Sequence, residues 1–94
     1  MEFTDLTNFL KKKGVCDTFQ ILSQFKNYRI EKRIFYKKLN KFSYYNAFFR
    51  EKNKLLERGI INIKKKEGKT FISLTKKGIT LLNKLKELNN LIKS

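Results

Sequence analysis

Apolar residues recur along this chain with two different periods, and the switches between them mark out the elements. Phe3, Leu6, Phe9 and Leu10 share one helical face. Thr4 or Asp5 can cap that helix, and Lys11 to Lys13 suit its C-terminal end. Gly14 then reads as the left-handed residue that follows a helix. Asp17 with Gln20 three positions on has the form of a capping box, opening a second helix over about 18–27 with Phe19, Leu22 and Phe25 inward. Tyr28 to Ile30 is a short extended piece. A third helix follows over about 32–39, with Ile34, Phe35 and Leu39 inward and Lys37 and Lys38 outward. Asn40-Lys41-Phe42 reads as a turn, with Phe42 as a plug for the core. Ser43 is a good N-cap for a helix over about 44–58 that stops at Gly59.

After Gly59 the period falls to two. Ile61 and Ile63 alternate with polar neighbours, as in a half-buried strand. Glu67-Gly68 is a turn signal. The return strand sets Thr70, Ile72 and Leu74 on one face. Thr75 caps a last helix over about 76–92. The order is α-α-β-α-α-β-β-α: mainly α with a small β-hairpin, an α+β chain. In the last helix Leu81, Leu85, Leu88 and Ile92 recur at 4-3-4 spacing, widened by Leu82 and Leu91. A domain this small buries only about 60–65% of the surface its unfolded chain exposes. Its core has little room for the whole stripe, so the reading is a homodimer paired through Leu81, Leu85, Leu88 and Ile92, with packing on the first two helices as the alternative.

Charge adds a partner to this outline. The 94 residues hold 23 Lys and Arg against eight Asp and Glu, a formal net charge of +15. Residues 1–27 are net +1, residues 28–78 net +12 and residues 79–94 net +2. The charge therefore lies within the predicted elements and not on a tail, which favours a polyanionic partner. Nucleic acid is the first candidate and an anionic membrane surface the second. With no His and one Cys, no internal disulfide, His-based metal site, catalytic triad or multi-Cys zinc site can be assembled. The expectation is a binding protein, not an enzyme, with no cofactor and no metal. No apolar run approaches the roughly 18 residues of a membrane helix, and the N-terminal stretch lacks signal-peptide character. A cytoplasmic location and no membrane partner fit. Cys16 reads as a small buried or boundary residue and not as a redox switch, because there is no His to activate it and the neighbouring Asp17 opposes a thiolate.

Three stretches carry a resemblance: RIFYKKL (33–39), SYYNAFFREKNKLLERGII (43–61) and NIKKKEGKTFISLTKKGITLL (62–82). In this order they resemble the winged helix-turn-helix family. That pattern has a positioning helix, a turn, a recognition helix ending L-x-x-x-G-[IL]-[IV] (Leu55 to Ile61), a β-wing and an LTxKG helix start (Leu74 to Gly78). The wing-to-helix phrasing is similar to MarR-like and PadR-like regulators. It is also similar to small dimeric winged-helix chromatin proteins of crenarchaea, through Arg33 to Tyr36, Glu67 to Lys69 and Leu74 to Gly78. Two features depart from the pattern: the turn Asn40 to Phe42 lacks the usual glycine, and Glu51 and Lys52 stand where apolar residues are common.

The resemblance implies one winged helix-turn-helix domain over 1–94. Residues 1–27 would be N-terminal helices, 28–74 the helix-turn-helix and wing, and 75–94 a dimerisation helix. It implies sequence-specific binding of double-stranded DNA by a dimeric transcriptional regulator, with an architectural binder of little sequence preference as the alternative. On the helix after Ser43, a core arc runs through Tyr44, Tyr45, Phe48, Phe49, Leu55 and Leu56. The opposite arc carries Ser43, Asn46, Arg50, Asn53, Lys54 and Glu57. Arg pairs bidentately with guanine and Asn with adenine, so Ser43, Asn46, Arg50 and Asn53 are the base-reading candidates. Lys37, Lys38 and Lys41 beside the turn, Lys54, and Lys64, Lys65, Lys66 and Lys69 around the wing tip are candidates for binding phosphate. Tyr44 joins them if its hydroxyl turns outward; otherwise it packs in the core.

Overall fold

The computed structural model describes residues 4–42 and 45–94, with the side chains of Phe42 and Tyr45 left aside. Phe3, the N-cap expected at Ser43, the plug expected at Phe42 and the roles open to Tyr44 and Tyr45 lie outside the described residues. The element order is the expected one: α1 (Thr4–Lys11), α2 (Lys13–Leu22), β1 (Arg29–Glu31), α3 (Lys32–Phe42), α4 (Tyr45–Glu57), β2 (Ile61–Lys66), β3 (Lys69–Leu74) and α5 (Lys76–Lys93). The chain is mainly helical, with one small antiparallel sheet among the described residues.

The boundaries of α2 differ from the sequence reading. It starts at Lys13 instead of residue 18, so Gly14 is helical and is not a left-handed cap. The physical reason is a close crossing: a Cβ on Gly14 would lie 2.2 Å from the Ala47 carbonyl oxygen on α4. Only glycine lets the two backbones meet there. Asp17 and Gln20 form no capping box. Asp17 is buried within the helix, 3.6 Å from Lys13 Nζ one turn earlier. The helix ends at Leu22 and not at 27. Beyond it, Asn27 (φ 60°) and Tyr28 (φ 53°) adopt the left-handed region and redirect the chain into β1.

The expected hairpin is part of a larger unit. β1 pairs with β3 (Arg29 opposite Ser73, Glu31 opposite Phe71), giving a three-stranded sheet in the order β1–β3–β2. Between β2 and β3, Glu67 (φ 51°) and Gly68 (φ 78°) are both left-handed, the signs that match a tight turn to strand twist. α3 runs on to Phe42, so Asn40 and Lys41 are helical and do not form a turn. Its inward stripe passes through Phe35, Tyr36 and Leu39 and leaves Ile34 exposed at the rim, against the expectation.

Phe35 meets Phe48 of α4 edge-on at 5.0 Å between ring centroids. α4 buries Ala47, Phe48, Glu51 and Leu55. Phe49 is an exception to the expected core arc: it is exposed, its ring centroid 5.6 Å from that of Tyr36 and 5.5 Å from Lys52 Nζ. One apolar cluster joins α2, α3, α4, β2, β3 and α5, centred on Ile21, Leu22, Phe35, Leu39, Phe48 and Ile72. Among the described residues, no helix is long and apolar enough to cross a membrane.

Candidate nucleic-acid interface

The joint after α4 sets the geometry of the site. Ile60 N–H donates to Leu55 O (2.9 Å) and Gly59 N–H to Leu56 O (3.1 Å), while Gly59 takes φ 69°. This is a Schellman close, which glycine adopts without a Cβ penalty. Thr75 then ties the far end of the hairpin to the same spot. Its backbone N–H donates to Ile60 O (3.0 Å), and its hydroxyl lies against the Gly59 and Ile60 carbonyl oxygens while accepting from Gly78 N–H (3.0 Å). Lys77 Nζ donates to Arg58 O at 2.7 Å. One threonine thus caps α5 and anchors the end of α4, so the hairpin and α4 hold a fixed relation.

Asn46, Arg50, Asn53, Lys54 and Glu57 are all exposed on α4, on the side away from Phe48 and Leu55. Ser43 and Tyr44 lie outside the described residues. On α3, Lys37 and Lys41 are exposed. Lys38 is half-buried, its Nζ 5.7 Å from the centroid of the Phe25 ring, so part of its stem is committed to packing. Lys64, Lys65, Lys66 and Lys69 are exposed. Strand register divides them: Lys64 opposes Phe71, Lys66 opposes Lys69, and Lys65 opposes Thr70. Opposed residues share a face. Lys64, Lys66 and Lys69 therefore stand on the outward face and Lys65 on the other.

The stripe on α5 is divided along its length. Leu82 is buried, Leu81 and Leu85 pack half-buried against the core, and Leu88 (46% exposed), Leu91 (70%) and Ile92 (82%) lie open. The four residues expected to form one seam thus fall into two groups, because the core takes up the first turns of the helix.

Three features were not foreseen. Glu51 is buried and lines a cleft of about 290 Å³ that also has Asp5, Lys12, Lys54 and Arg58 in its walls. Arg29 lays its guanidinium 4.4 Å from the centroid of the Phe71 ring on the outward face of the sheet. Only the place of Phe71 was signalled in the sequence, since it falls on the polar side of the β3 alternation. Cys16 is exposed, not buried. Its thiol is held above the ordinary range by local desolvation and then by Asp17, with Lys13 opposing.

No protein-family model, curated protein or solved structure matches the chain.

Proposed function

We propose that the chain is a winged helix-turn-helix protein that binds double-stranded DNA, reads sequence through α4 and acts as a dimeric transcriptional regulator in the cytoplasm. The sheet order β1–β3–β2 and the element order around it support this reading. One observation carries it. An exposed arc with Asn46, Arg50 and Asn53 is tied, through Gly59 and Thr75, to a hairpin flanked by lysines. Base-reading groups and phosphate-binding groups are then held at a fixed spacing. Lys37, Lys41, Lys54 and the hairpin lysines supply affinity without regard to sequence. The exposed end of α5 pairs two copies and so doubles the half-site. The protein works by binding, with no cofactor, metal or chemistry of its own.

A second reading, an architectural binder with little sequence preference, is favoured by one observation: Arg50 is the only arginine on that arc, and the cations around it at the candidate interface, Lys37, Lys41, Lys54 and the hairpin residues, are all lysines. Selection from random duplex DNA at physiological salt separates the two. A regulator enriches a discrete pseudo-palindrome; a coating protein enriches none. Anionic vesicles tested in parallel are expected to bind weakly or not at all.

Two variants extend the test. Arg50→Ala is expected to cost about 1–3 kcal/mol on the selected site and to relax one base position. Equal weakening on selected and random DNA would instead assign Arg50 to the phosphate backbone. Lys65→Ala with Lys66→Ala is expected to weaken binding to every sequence and to flatten the salt slope by about one unit for each phosphate no longer neutralised. An unchanged slope would remove the hairpin tip from the interface.

A further inference from the structure

The outward face of the sheet has a composition that folding alone does not require. Register places Arg29, Ser73 and Asn62 in one row across the three strands, Glu31, Phe71 and Lys64 in the next, and Lys69 with Lys66 in the last. The opposite face holds Ile30, Ile61, Ile63, Ile72 and Leu74 and packs on the core. Phe71 is thus the one aromatic residue in these rows, on a face otherwise polar or charged. It stands among four cations, Arg29, Lys64, Lys66 and Lys69. The one carboxylate in the rows, Glu31, is paired with Arg33 at 3.7 Å. Arg29, Asn62, Lys64, Lys66, Phe71 and Ser73 line a shallow concavity of about 200 Å³.

We propose that this face is a second nucleic-acid site and that its ligand is an unpaired strand. The reasons are physical. A ring standing on an open sheet can stack only on a base whose face is free, which a duplex does not offer along its length. Arg29 over Phe71 extends the stacking surface with a cationic plane, which also attracts bases and phosphates. Asn62 and Ser73, in the neighbouring row, can donate to and accept from base edges. Lys64, Lys66 and Lys69 repel one another along the hairpin, and a strand of phosphates relieves that repulsion. This site does not depend on the α4 reading. It shares the hairpin lysines with the duplex site but uses Arg29 and Phe71, which the duplex reading leaves idle.

The test is fluorescence anisotropy of labelled oligo(dT), oligo(U) and a mixed-sequence duplex at fixed, moderate salt. The wild type is expected to bind at least one of the two single strands. Phe71→Leu, which keeps an apolar side chain and removes the ring, is expected to weaken that binding about tenfold. Arg29→Ala is expected to weaken it several-fold, and both variants should leave duplex binding within about twofold. Circular dichroism melts check that the variants are folded. Phe71→Trp supplies a second readout, because the chain has no tryptophan. The new indole is expected to retain single-strand binding and to lose fluorescence as the strand stacks on it. A stronger effect on one of the two strands, with the same weakening in Phe71→Leu, supports the site and names its sugar. A wild type that binds single strands but no duplex refutes the duplex reading and supports this one. Absence of single-strand binding, an unchanged affinity in folded Phe71→Leu, or an unquenched indole in Phe71→Trp would each overturn the proposal.

Discussion

The two ends of α5 are made from the same kinds of residue and reach opposite conditions. At its start, Thr75 caps the helix and grips the end of α4, Lys77 bonds to Arg58, and Leu82 is in the core. At its end, Leu88, Leu91 and Ile92 lie open to solvent. The leucine period alone does not distinguish these situations. What does is whether the core lies beside the turn in question. The first half of the helix therefore stabilises the fold, and the second half is the part that the proposed pairing would use.

That contrast can be broken in order of expected effect. Leu82→Ala opens a cavity in the core and is expected to cost about 3 kcal/mol, measured as the midpoint shift in chemical denaturation. A change below about 1 kcal/mol would mean that the start of α5 is not bound into the core as described. Thr75→Ala removes the cap of α5 and the anchor on the Gly59–Ile60 carbonyls together, for an expected cost of about 1–2 kcal/mol. Thr75→Ser, which keeps the hydroxyl, should recover most of it. Leu88→Lys with Ile92→Lys is expected to change the stability of the single chain by less than about 0.5 kcal/mol, because both side chains are exposed. Under the proposed pairing the same double change converts a two-chain species to a one-chain species in sedimentation. A wild type that sediments as one chain at micromolar concentration would sink the pairing and the expectation of a palindromic site.

Local signals were legible where one residue type answers one local need. Gly59 at the close of α4, Thr75 at the cap of α5 and the Glu67-Gly68 turn could all be read from the chain. Errors arose where distant partners decide. Gly14 looks like a cap in sequence, but its hydrogen side chain serves the close approach to Ala47, more than thirty residues away. Asp17 resembles a capping residue and is buried mid-helix beside Lys13. Asn40 and Lys41 resemble a turn and continue a helix. On the candidate site, the exposed arc of α4 could be derived from helical period alone. The stacking of Arg29 on Phe71 could not, since it requires β1 to pair with β3 across the whole segment between them.

That pairing also shapes how the molecule can assemble and come apart. The β2–β3 hairpin joins neighbours through a two-residue turn, so it can form early and reform quickly. β1 reaches the other edge of β3 only after α3 and α4 have closed the long loop from Arg29 to Ser73. The central strand thus has one fast edge and one slow edge. Amide protons bridging β1 and β3 should exchange with solvent through smaller openings than those bridging β2 and β3, because three short rungs hold the first pair and six the second. Opening of that edge would part Arg29 from Phe71 while the β2–β3 pairing persists.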